Sequence, residues 1–100
     1  MKTYLTIYQN EQRAAELEIR DQNDAEYTPS LVYATIVNSV GTVVMAETAA
    51  LIVGNKAIIL VTSTISATIG QYEIIWKILQ TAGETTYTFY HKTQLVIEEL

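Results

Sequence analysis

Few residues in this chain are of types that do chemistry, and their spacing limits what each can do. His91 is the one histidine among 100 residues, so a Ser-His-Asp relay would have to run through it. It sits in the Thr/Tyr-rich run TYTFYHKT, and no G-x-S-x-G elbow occurs anywhere in the chain. It reads as an ordinary strand histidine. Asp21, Asp24 and Glu26 are close enough in sequence to share a calcium ion, which takes roughly six to eight oxygen ligands. They lack the glycine and the closing bidentate glutamate of an EF-hand loop, and a solvated Asx turn accounts for them more simply. Glu16 and Glu18 share one face of a strand and imitate a glycosidase pair, but outward charges there ordinarily serve solubility and guard an edge. Glu98 and Glu99 read as a solvated tail. No nucleophile–base pair is left, so the expectation is a protein that is not an enzyme, with no cofactor, no metal and no small-molecule substrate.

The aromatic balance carries more information. Seven tyrosines stand against one phenylalanine, and tyrosine combines an apolar body with a polar tip suited to interfaces and carbohydrate contacts. Tyr87 and Phe89 share one strand face and Tyr90 takes the other. Tyr72 is expected in the core, while Tyr4, Tyr8, Tyr27 and Tyr33 are not assigned to a face by the pattern.

The elements that must position these residues are strands. Hydrophobic residues make up 49% of the chain and charged ones 17%, which excludes a disordered segment. Fourteen Thr, twelve Ile and eight Val favour a pleated surface over a helix. One hundred residues make one domain, expected over 1–100. A net charge of −5 and a pI near 4.6 argue against a nucleic-acid partner. The absence of cysteine excludes a disulfide scaffold and a Cys-ligated zinc, and fits a reducing interior. MKTYLTIYQNEQR has no signal-peptide apolar region, and no run approaches the roughly 18 apolar residues of a membrane span. No membrane partner and no secretion by signal peptide are expected.

Thr3 to Tyr8 alternates, with Leu5 and Ile7 on one face and Tyr4 and Tyr8 on the other. Ala15, Leu17 and Ile19 alternate with Glu16, Glu18 and Arg20. Asp21 to Asp24 is a loop, and Pro29 leads into a strand from Leu31 to Val37. Asn38-Ser39-Val40-Gly41 turns that strand back along Thr42 to Met45, and Ala46 to Ala50 reads as a bent strand or a short helical turn. Leu51 to Val53 and Lys56 to Thr62 form a second hairpin about Gly54-Asn55. Ser63 to Ile69 is a crossover with one helical turn starting at Ser63 or Thr64. Tyr72 to Leu79 is a strand, Thr81 to Glu84 a turn, and Thr85 to Ile97 a last strand broken near His91-Lys92. Seven to nine short strands without a convincing helix predict a sandwich or barrel. Gly70-Gln71-Tyr72 before a strand carrying Trp76 suggests an immunoglobulin-like antiparallel β-sandwich, in which a corner tyrosine anchors the crossing loop.

One departure from simple alternation points to function. Ile58 to Val61 are aliphatic without interruption, as are the pairs Ile74-Ile75 and Ile78-Leu79. If Tyr72, Ile74, Trp76 and Ile78 face the core, Ile75 and Leu79 face outward, on either side of Lys77. The expected interface comprises Ile59, Val61, Ile75, Leu79 and Tyr90, since outer apolar patches mark partner contacts. Edge loops or the N-terminal segment are the alternative cover for such a patch.

Three segments together resemble small domains of tailed-phage and prophage structural proteins. They are the hairpin TIVNSVGTVV (Thr35 to Val44), the crossing ISATIGQYEIIWKI (Ile65 to Ile78) and the ending AGETTYTFYHKTQLVIEEL (Ala82 to Leu100). The hairpin departs from the family-like form, which often carries Asp-Gly where this chain has Ser39-Val40-Gly41. The resemblance implies an immunoglobulin-like, non-enzymatic virion structural or assembly protein of the head–tail connector, tail or baseplate region. It further implies other virion proteins or a second copy as partners, and a place in the virion or in the host cytoplasm during assembly. The competing expectation is a carbohydrate- or protein-binding adhesive module of a bacterial surface protein, motivated by the tyrosines.

Overall fold

Period-2 alternation is met along most of the chain, and pairing of the apolar faces gives two sheets. The computed structural model describes residues 3–20 and 26–100. Its strands are β1 (Thr3–Tyr8), β2 (Arg13–Glu18), β3 (Leu31–Asn38), β4 (Val43–Ala49), β5 (Leu51–Val53), β6 (Lys56–Val61), β7 (Gly70–Ala82) and β8 (Thr85–Glu98). A single 3-10 turn, Ile65–Ala67, precedes β7, and no α-helix occurs among the described residues. One sheet has the order β1-β8-β7-β3-β4 and the other β2-β6-β5. β1 runs parallel to β8, and the other neighbours are antiparallel. The result is a nearly all-β, two-sheet sandwich.

The core lies between the sheets. Ile7, Val32, Ala34, Ile36, Ile74, Trp76, Leu95 and Ile97 of the larger sheet meet Ala15, Leu17, Ala57, Ile59 and Val61 of the smaller, all nearly inaccessible to solvent. The expected inward set of β7, Tyr72, Ile74, Trp76 and Ile78, is buried as a set. Burying an indole leaves its N–H in need of an acceptor. Thr93, buried on the neighbouring strand β8, supplies it: Trp76 Nε1 donates to Thr93 Oγ1 at 2.9 Å.

The connections follow from local chemistry. The two-residue loops Gly54-Asn55 and Gly83-Glu84 each place glycine at a positive φ, 61° and 65°, which a tight hairpin needs and other residues resist. Before β7 the crossover is pinned from several sides. Thr62 C=O accepts from both Ile65 N–H and Ser66 N–H at 3.1 Å, and the buried Ser66 hydroxyl donates to Glu11 C=O at 2.6 Å. Tyr72 hydroxyl then donates to Thr68 C=O at 2.8 Å, anchoring the crossing loop to the start of β7.

Some expected boundaries move. Ala46 to Ala49 belongs to β4, which is irregular because its register against β3 shifts twice, between Ala34 and Ile36 and between Ile36 and Val37. The last strand is not broken at His91-Lys92. Continuous pairing with β7 from Ala82↔Thr85 to Gly70↔Ile97 holds β8 straight. A strand of 14 residues rising roughly 3.3 Å each is about 45 Å long. That length matches the molecule's longest dimension of 46 Å, against 23 and 22 Å across.

Candidate interaction surfaces

The pairing registers decide which side chains each sheet presents to solvent. On the three-stranded sheet, Glu18 lies opposite Lys56, Glu16 opposite Ile58 and Ala14 opposite Leu60, while Leu51 faces Ile58 across β5 and Val53 faces Lys56. Leu51, Val53 and Leu60 are 64%, 55% and 50% exposed, and Ile58 sits half-buried among them. This aliphatic patch runs into a hollow of about 680 Å³ beside β4, lined among others by Val44, Met45 and Ile65.

Two of the five expected interface residues are therefore corrected. Ile59 and Val61 are 5% and 0% exposed and belong to the core. The reason is parity: Ala57, Ile59 and Val61 face the larger sheet, so Ile58 and Leu60 are the outward pair. Lys56, one residue inside the hairpin, carried the signal, since an outward lysine makes residues 58 and 60 outward too.

The five-stranded sheet presents a second surface. Ile75 lies between Thr35 and Lys92, Leu79 between Leu31 and Thr88, and Lys77 between Tyr33 and Tyr90. Ile75 and Leu79 are half-buried on this solvent face, Leu31 is 48% exposed and Tyr90 67%. The structure brings Leu31 and Leu79 side by side, and Leu31 was not singled out by sequence. Lys92 Nζ is 3.5 Å from Glu73 Oε1, closing one end of the row with opposite charges. Tyr4 and Tyr8 of β1 also point outward here.

A third feature lies beneath the far end of the β7–β8 hairpin. Tyr27, Tyr87, Phe89 and His91 line an open cleft of about 780 Å³, together with Leu17 and Ile19 of the opposite sheet. Gln80 also lines it, and its Oε1 is buried without a hydrogen-bond partner among the described residues. At its rim Arg20 pairs with Glu18, and with Glu26 at 3.3 Å. Partial burial, the larger cause, pushes the His91 imidazole below its usual 6.5.

Glu26 is engaged by Arg20, Asp21 and Asp24 lie outside the described residues, and no cluster of metal-ligating side chains occurs among the described residues. No helix among them is long and apolar enough to cross a membrane. No family model matches the chain, and no curated protein matches it either.

Proposed function

We propose that this chain is a non-enzymatic structural or assembly subunit of a tailed-phage or prophage virion, a head–tail adaptor or tail component working through protein–protein contacts and self-association. The observation that carries the reading is aliphatic exposure on both solvent faces of the sandwich: Leu51, Val53 and Leu60 on one, Leu31 with half-buried Ile75 and Leu79 on the other. Adjacent outward aliphatics form a patch, and patches of this kind serve contacts with other proteins. Two different patches on opposite faces suit a head-to-tail contact, which closes into a ring when the rotation allows.

The immunoglobulin-like reading draws support from two features. The sheets follow the order of such sandwiches, with β1-β8-β7-β3-β4 facing β2-β6-β5. A tyrosine at the start of β7 bonds the backbone four residues upstream.

Light scattering on the intact protein tests the assembly reading. A mass above the monomer that Leu60→Glu or Leu31→Glu reduces is the expected result, and a strict monomer up to the solubility limit overturns self-association. Neighbouring genes for a portal, terminase or major capsid protein would support the virion assignment. The aromatic cleft favours a second reading, an adhesive module for sugars. Tyr27 and Tyr87 would stack on a ring and Gln80 Oε1 would accept from a hydroxyl. Glycan-array binding that is lost in Tyr87→Ala would favour it.

A further inference from the structure

We propose that the first half of β8 pairs edge to edge with the same segment of a second copy, antiparallel about Thr88, joining two five-stranded sheets into one. This contact goes beyond the face contacts proposed above, because it uses backbone groups at a sheet edge.

The two sides of the β7–β8 hairpin are covered unequally. Along β7 the outer edge is occupied by β3 from Tyr72 to Leu79. Ser30 continues that cover, its N–H donating to Leu79 C=O at 3.0 Å and its Oγ accepting from Thr81 N–H at 3.1 Å. Along β8, β1 covers Thr93 to Glu98. From Thr85 to Tyr90 no strand lies beside β8 among the described residues.

Which groups face that edge follows from the hairpin. A two-residue loop makes its flanking residues, Ala82 and Thr85, a hydrogen-bonded pair. Counting on from Thr85, residues Tyr87, Phe89 and His91 also turn their backbone groups to β7. Thr86, Thr88, Tyr90 and Lys92 turn theirs to the other side. An extended run of unpaired N–H and C=O groups is a template for another strand, and folded proteins normally blunt such edges.

The other edges are blunted. β4 is interrupted by its two register shifts, and β5 is three residues long. β2 carries Arg13, Glu16 and Glu18, and Tyr8 N–H at the end of β1 donates to Glu11 Oε1 at 3.1 Å. Thr85 to Tyr90 has no charge, no proline and no bulge.

Charge selects a second copy and fixes the register. The uncharged run is bounded by Glu84 on one side and, past His91, by Lys92 on the other. Antiparallel pairing of two identical edges must match outward-facing residues with outward-facing residues, so the two-fold axis can pass through Thr88. That register sets Thr86 opposite Tyr90, Tyr87 opposite Phe89, and Glu84 opposite Lys92 of the second copy, twice by symmetry. Centring the axis on Tyr87 or on Phe89 leaves Glu84 facing Tyr90 or Gln94, with no charge pair. Lys92 already has Glu73 at 3.5 Å, and the incoming glutamate would complete an acid–base–acid cluster.

The test is made on the intact chain by sedimentation across a concentration series. A dimer is expected, reduced at least tenfold in association by Thr88→Pro, which removes one outward N–H and leaves the β7 ladder intact. Circular dichroism shows whether that variant folds, and a charge swap answers independently. Glu84→Lys should weaken the dimer, and adding Lys92→Glu to it should restore it. Because the chain has no cysteine, Thr88→Cys gives a direct reading. Directly opposed residues in a hydrogen-bonded pair are about 5.5 Å apart at Cα, within disulfide reach. Mild oxidation should link Thr88→Cys far faster than Phe89→Cys. A monomer throughout overturns the proposal. So does a dimer indifferent to Thr88→Pro and Glu84→Lys, and if Leu60→Glu dissolves that dimer, the face contact stands while the edge contact falls.

Discussion

Strands β7 and β8 are two different objects along their length, and the contrast shows what the second sheet contributes. In the body, Tyr72, Ile74, Trp76, Leu95 and Ile97 alternate with exposed or half-buried neighbours and are sealed by β2 and β6. Beyond Leu79 the same ladder continues to Ala82↔Thr85, yet every residue from Thr81 to Tyr90 is exposed. Backbone pairing is identical in the two halves. What differs is that in the body β1 and β3 flank the pair and another layer covers one face. Hydrogen bonding holds the projecting half together, and apolar burial, the larger stabilising term in folding, is confined to the body.

The sharpest way to break that comparison is a pair of truncations, one in each half. Trp76→Ala empties the centre of the body and should lower unfolding free energy by roughly 3–5 kcal/mol in urea titration. Phe89→Ala removes an aromatic of the projecting half and should cost on the order of 0.5 kcal/mol, as surface changes do. Equal losses would mean that the projecting half is packed as well as the body.

The body was legible in the sequence for the reason that it is stable. Glu73 and Lys77 fix the parity of β7, so Tyr72, Ile74, Trp76 and Ile78 share the buried face although Ile75 and Leu79 break the polar alternation. Strand β6 was not legible in the same way. Four aliphatics in succession satisfy either parity, so Lys56 at the start of the strand is the one cue in the sequence to the choice that pairing with β2 makes, where Ala15 meets Ile59 and Leu17 meets Ala57. The projecting half misled for a third reason. Its Thr/Tyr/Phe run changes character at His91-Lys92 because the second sheet stops covering it, and in the sequence a change of burial looks the same as a break in the strand. The importance of Leu31 lies across the ladder, opposite Leu79, and sequence adjacency does not report it.

A finer probe acts at the junction between body and crossover. Tyr72 is 6% exposed, and its hydroxyl reaches Thr68 C=O at 2.8 Å. Tyr72→Phe keeps the ring and removes one hydrogen bond, at a cost of about 1 kcal/mol. An unchanged melting temperature would show that Ser66 and Thr62 hold the crossover without help from the tyrosine.

The smallest expected effect comes from the boundary itself, where His91 lies between exposed Tyr90 and buried Thr93. Its pKa is lowered from 6.5 chiefly by burial, so the folded protein favours the neutral imidazole. The unfolded chain therefore binds more protons as pH falls below 6.5. Stability from His91 is complete above that value, declines as pH drops toward the lowered folded pKa, and falls no further below it. Melting temperatures at about pH 7.5 and 5.5 should show a larger acid-side loss in the native protein than in His91→Gln. Carboxylates shared by both proteins cancel in that difference. Equal losses would place His91 in surroundings as wet as the projecting half, and the body would then end at Thr93, where the buried bond to Trp76 marks its last covered row.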